Sequence, residues 1–136
     1  MSKSLNNAIY LHEEADSLYK KVMSMYTDKN HLRVSDPGQV EGNMVFSYLD
    51  AFDSDKEKVA EFKRHYQAGG LGDTVLKKYL FEVLNTILTP IRERRKELAK
   101  NHDFIMNILK QGSQVARSIA TDTLTEVRHA IGVDYF

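Results

Sequence analysis

A lysine set between two serines opens the chain, in Met1-Ser2-Lys3-Ser4. That group suits polyphosphate. The ammonium is a point charge, and hydroxyls and amides add donors. A second basic group lies far along the chain, where Arg92, Arg94, Arg95 and Lys96 cluster, with Lys100 nearby. Guanidinium forks are the usual contacts to phosphates and base edges. A solvated helix face, diluted by Glu93 and Glu97, is the plainer reading of the same residues. The run Gly69-Gly70-Leu71-Gly72 precedes helical sequence, as phosphate loops do, and Lys77 and Lys78 come after it. It lacks the Gly-Lys-Ser/Thr ending and comes after a helix rather than a strand, so a helix–helix turn is the better reading.

Other chemistries find little support. His12, His31, His65, His102 and His129 are scattered, with no His-x-x-x-His pair, and no metal site is expected. Asp50, Asp53, Asp55 and Glu57 gather at a helix junction, where negative charge complements the dipole of a helix start. The chain has no cysteine, which excludes thiol catalysis, disulfides and thiolate metal sites. Nineteen basic and nineteen acidic residues cancel, so any nucleic-acid contact must be a local patch. No apolar run approaches the ~20 residues of a membrane span, so no membrane partner is expected.

The elements that must position these residues read as helices. At 136 residues and 42% hydrophobic, the chain has the size and core of one ordinary domain. Ala8 to Leu11 reads as a short extended piece after a loop. A helix then starts near Glu13, with Ala15, Leu18, Val22 and Met25 inward and Lys20 and Lys21 on the other side. Residues 28–43 carry Pro37-Gly38 and Gly42 and form a loop. Asn43 caps a short helix over Val45, Phe46, Leu49 and Phe52, and Asp53 or Ser54 starts the next, over Val59, Phe62 and Tyr66. Asp73 is the expected N-cap of a long helix with the stripe Leu76, Leu80, Val83, Leu84, Ile87, Ile91 and Leu98. Pro90 should kink or divide it. A last helix begins at His102 or Asp103, with Ile105, Ile108, Leu109, Val115, Ile119, Leu124, Val127 and Ile131 inward. The expectation is an all-α helical bundle, with two long antiparallel helices preceded by a short loop and extended segment.

Met1-Ser2-Lys3-Ser4 resembles the last four residues of the Lys-Met-Ser-Lys-Ser signature of class I aminoacyl-tRNA synthetases. Leu5-Asn6-Asn7-Ala8-Ile9-Tyr10-Leu11 is similar to the continuation of that signature in bacterial tryptophanyl-tRNA synthetases. The later segments resemble the same family in order: Val40-Glu41-Gly42-Asn43, Val45 to Phe52, Gly69 to Asp73, Pro90 to Arg95, and Thr123 to Arg128 with Gly132 and Phe136. The resemblance covers essentially the whole chain.

The family implies a tryptophan–tRNA ligase using ATP, with magnesium in the parent enzyme. Its partners are tryptophan and the tRNA for tryptophan, its setting is cytoplasmic, and the parent is a homodimer. On this resemblance, residues 1–11 are a remnant of the catalytic signature loop and residues 12–136 are the C-terminal helical anticodon-binding domain. Lys3 is the catalytic residue, within an ATP-binding loop of Met1, Ser2, Lys3 and Ser4. Lys77, Arg92, Arg94 and Arg95 become candidate tRNA contacts. Two departures stand out. The signature's first lysine is missing. Nothing resembles the family's His-Ile-Gly-His-type motif, and no alternating strand–helix pattern offers a nucleotide-binding sheet. The expectation is therefore a C-terminal fragment, inactive alone, with no cofactor bound. A stand-alone helical RNA-binding or interaction protein derived from a synthetase is the alternative.

Overall fold

The computed structural model describes residues 7–133, which form five helices with no strand among the described residues. They are α1 (Ala15–Met23), α2 (Met44–Phe52), α3 (Lys56–Ala68), α4 (Asp73–Ala99) and α5 (His102–Ala130). The all-α expectation holds. The chain divides into two units, Met1–Arg94 and Arg95–Phe136. The signature residues Met1, Ser2, Lys3 and Ser4 lie outside the described residues, as does Phe136.

Side-chain caps set the starts of α2 and α3 in the first unit. The Asn43 side chain accepts the Val45 amide at 3.0 Å and starts α2 as expected. The start of α3 differs from expectation. Asp55, not Asp53 or Ser54, accepts the Lys58 amide and caps it. Asp53 is buried and accepts the Tyr79 hydroxyl at 2.7 Å, tying α4 to the junction before α3. Burial and that hydrogen bond push the Tyr79 phenol up to about 12.

The glycine run works by close approach. Gly69 and Gly70 both hold positive φ, and a Cβ on Gly69 would collide with the Ser35 carbonyl. The Gly69 amide donates to Tyr66 O and the Gly70 amide to Val34 O. Two amides that a phosphate cradle would use are thus spent on the turn, which favours the helix–helix reading.

The core joins Leu18 and Val22 of α1, Val45, Phe46 and Leu49 of α2, and Val59 and Tyr66 of α3 to a row on α4. That row is Leu76, Leu80, Leu84 and Leu88, and Arg92 takes its next place. A strict spacing of four tracks an inclined ridge of the helix rather than a line along its axis. Hence Ile87, Ile91 and Leu98, read as inward, are partly exposed, and Leu88, missing from the sequence stripe, is buried. The helix runs undivided through Pro90.

In the second unit, the Asn101 side chain accepts the Phe104 amide and begins α5. Its end closes in a Schellman arrangement: Gly132, at positive φ, donates to His129 O and Val133 donates to Arg128 O. No residue of α5 is buried. The stripe read as inward, from Ile108 through Ile131, is exposed. Amphipathic spacing states only that an apolar face exists, and nothing described in this unit covers it.

Candidate functional site

The segment leading out of the signature residues is fastened to α1. Lys21 donates to the Ala8 carbonyl at 2.8 Å and to Glu13 Oε2 at 2.7 Å. Glu13 also accepts the Ser17 hydroxyl and the Tyr10 amide. The Lys21 ammonium lies 5.1 Å from the Tyr10 ring centroid. Both charged side chains are about nine-tenths covered, at 10% and 11% exposure. Burial raises the Glu13 carboxyl, but bonds from Lys21, Ser17 and Tyr10 outweigh it and hold the group below its ordinary value. The sequence reading set Lys21 on the outer side of α1. Lys21 is instead covered by Ala8 to Glu13 folding back, while Lys20 is exposed as expected. Glu13, Ser17 and Lys21 recur every four residues in the sequence, which was the available signal, although Glu13 lies before α1 begins.

The four candidate RNA contacts separate into two pairs. Lys77 donates to the Met23 carbonyl at 3.0 Å, where it completes the C-terminus of α1. Arg92 is only 7% exposed. Its guanidinium donates to Leu88 O, Asn85 O and Thr89 Oγ1, with a further close bond to Asn85 Oδ1. A buried charge needs such pairing, and here α4's own carbonyls and side chains supply it one to two turns back. Thr89 also donates to Asn85 O, so two side chains beside Pro90 converge on one carbonyl. Arg94 and Arg95 are exposed. Solvent-facing guanidinium is therefore offered by Arg94 and Arg95, while Lys77 and Arg92 hold the fold.

One buried polar cluster was not foreseen. Asp73, expected as an N-cap, is the first residue of α4 and binds three other segments. It accepts the Tyr66 hydroxyl at 2.8 Å and the Thr27 hydroxyl at 3.0 Å, and His31 Nδ1 lies 3.5 Å away. The His31 ring packs on Tyr66 with centroids 4.6 Å apart. A histidine–carboxylate pair suggests general-base chemistry, but His31 Nε2 is buried and bonds no described group. The cluster therefore serves as a structural node. Among the described residues no three His, Cys, Asp or Glu side chains gather to hold a metal. No described helix is long and apolar enough to cross a membrane.

Comparison with known proteins adds a consistent set of likenesses. A family model described as tRNA synthetases class I (W and Y) matches residues 1–89. A tryptophan–tRNA ligase from Clostridium longisporum is 58% identical over the whole chain, which covers 40% of that protein. One from Streptococcus mutans is 56% identical, again over the whole chain and 41% of its own length. The crystal structure of tryptophanyl-tRNA synthetase from Campylobacter jejuni matches 97% of this chain and 42% of its own, at 30% identity and a TM-score of 0.80. A second structure of that protein contains ADP and tryptophan. The chain thus spans about two-fifths of the length of the curated relatives it matches.

Proposed function

The chain belongs to the class I tRNA synthetases of the tryptophan and tyrosine type, and on that premise we propose that it is the C-terminal helical part of a tryptophan–tRNA ligase. The observation that carries this reading is 58% identity to such a ligase over the whole chain. The tryptophan assignment draws on the same relatives and on the Campylobacter jejuni structure.

In the whole enzyme, the tryptophan carboxylate attacks the α-phosphorus of ATP and pyrophosphate leaves. The amino acid then passes to its tRNA. Lys3, flanked by Ser2 and Ser4, neutralises charge that grows on the departing phosphates. The helical part binds the anticodon stem-loop, and Arg94 and Arg95 are its phosphate contacts. Their exposure supports this, since a guanidinium already bonded inside the fold cannot also serve RNA. The setting is the cytoplasm, and the complete ligase works as a homodimer. This chain alone carries no ligase activity.

Binding of this chain to an anticodon stem-loop is expected to be weak and salt-sensitive. Replacing Arg94 and Arg95 together by alanine removes two phosphate contacts. The slope of log affinity against log salt should then flatten by roughly 1.4 to 1.8. An unchanged slope, measured by filter binding or fluorescence anisotropy, would refute the arginine assignment. Tryptophan-dependent pyrophosphate exchange by the 136-residue chain alone would refute the division of labour.

A further inference from the structure

We propose that Arg92 is a positioning residue for RNA binding: its buried guanidinium straps α4 across Pro90 and fixes the direction in which that helix presents Arg94. This role rests on the RNA reading above and adds to it a residue that touches no RNA.

Proline inside a helix weakens it locally. Pro90 has no N–H to give the Thr86 carbonyl, and its ring crowds the preceding turn. Helices bend at such sites, by about 20° or more. Arg94 stands four residues further on, about 6 Å along the axis. A bend of that size would carry its backbone about 2 Å sideways, most of a hydrogen-bond length. α4 nevertheless runs undivided through Pro90.

Arg92 bridges the weak point. It follows Pro90, and the acceptors it reaches lie before Pro90. They are Leu88 O at 3.4 Å, Asn85 O at 3.3 Å and Thr89 Oγ1 at 3.1 Å, with a further bond to Asn85 Oδ1. The position makes the residue type informative. Arg92 takes the place after Leu88 on the core-facing row and is buried. A leucine would fill that place without the cost of desolvating a charge. What a leucine cannot do is hydrogen-bond back over one to two turns. A strapped break holds one angle in advance, so RNA binding does not have to order it.

The test is a cycle of Arg92 and Pro90 substitutions in this chain, read by binding to an anticodon stem-loop RNA. Arg92→Met keeps the aliphatic stem and removes the strap. Affinity should fall about two- to tenfold, the cost of ordering one loosened element. The slope of log affinity against log salt should keep its wild-type value, because no phosphate contact is lost. In a Pro90→Ala chain, whose restored amide reaches Thr86 O, Arg92→Met should cost no affinity. A flattened slope would make Arg92 itself a phosphate contact, and equal losses in both backgrounds would reduce it to packing. Either result overturns the proposal. Urea unfolding gives a readout without RNA: Arg92→Met should lower the midpoint more with Pro90 present than in the Pro90→Ala chain, and equal shifts would overturn the strap. If Arg92→Met does not fold, Arg92→Lys takes its place in both cycles. It keeps the charge, loses the fork and should show the same pattern with smaller losses. Binding that survives Arg94→Ala with Arg95→Ala refutes the RNA reading instead, and the urea cycle then decides the strap by itself, so the two failures stay distinct.

Discussion

Lys3→Ala in the full-length ligase is expected to lower the kcat of tryptophan-dependent pyrophosphate exchange by about 10²- to 10³-fold, the usual loss when one preorganised contact to developing charge is removed. The physical reason is differential. ATP carries its charge on the phosphates before reaction, but charge moves onto the leaving pyrophosphate as the α-phosphorus bond breaks. A lysine placed there is worth more in the transition state than in the ground state, so kcat should fall more than the KM for ATP rises. Affinity for the anticodon stem-loop should stay at its wild-type value, because the contacts proposed for it, Arg94 and Arg95, lie at the far end of α4. Lys3→Arg should recover only part of the rate, since a planar fork does not replace a compact ammonium. Steady-state exchange measured against ATP and tryptophan decides the matter. A Lys3→Ala enzyme with a wild-type rate would end the case for this lysine.

Tyr66→Ala should cost this chain about 3–5 kcal/mol, in the range for emptying a large aromatic site. Tyr66 is fully buried. Its ring meets Phe46 edge-on at 5.3 Å and His31 at 4.6 Å. Gly38 lies so close that a Cβ there would enter the ring. Its carbonyl accepts the Gly38 amide and its hydroxyl donates to Asp73, so one residue joins the loop, α3 and α4. Small domains hold only about 5–15 kcal/mol in all, so this loss removes a large share of the stability. Tyr66→Phe keeps the ring and should cost about 1–2 kcal/mol, by leaving Asp73 short of a donor. Urea unfolding of both variants tests the ranking. A Tyr66→Ala chain as stable as wild type would contradict it.

The same hydroxyl sets a dependence on alkaline pH. Burial, then the hydrogen bond to Asp73 and that carboxylate's charge, push the Tyr66 phenol well above its ordinary value. A raised folded value means the contribution is fully present below the unfolded value near 10. It is lost as pH rises from there through the folded value. The stability advantage of wild type over Tyr66→Phe should therefore shrink above about pH 10.

What was legible in the sequence was local. Asn43 sits directly before its helix, so its cap could be read from neighbouring residues alone. Most α1, α2 and α3 core positions could be read from helical spacing for the same reason, but Phe52, read on the α2 stripe, is half exposed. Residues whose role depends on the chain folding back were not legible. Lys21 looks like surface until Ala8 to Glu13 cover it, and Asp73 looks like a simple cap until Tyr66 and Thr27 reach it. Arg92 failed differently. Its type argued for solvent, but its position continues the four-residue row of Leu76, Leu80, Leu84 and Leu88, and position prevailed because α4 could satisfy the charge by itself. The signature at residues 1–4 was legible only as motif, and its geometry lies outside the described residues.

The bare second unit has a thermal consequence. α5 spans 29 residues, about 43 Å, and none of its side chains is buried. Within its own unit, α5 draws its helicity from propensity, the Asn101 cap and the Gly132 closure, which are local and only weakly cooperative. The first unit melts as a packed core does, in one steep step. Circular dichroism of this chain on heating should show a gradual early loss of helix from α5 ahead of that step, and a single sharp transition for all helical signal would count against it. A single midpoint temperature would describe only the residues up to about Arg94, and a substitution in α5 could leave that number untouched while emptying the helix.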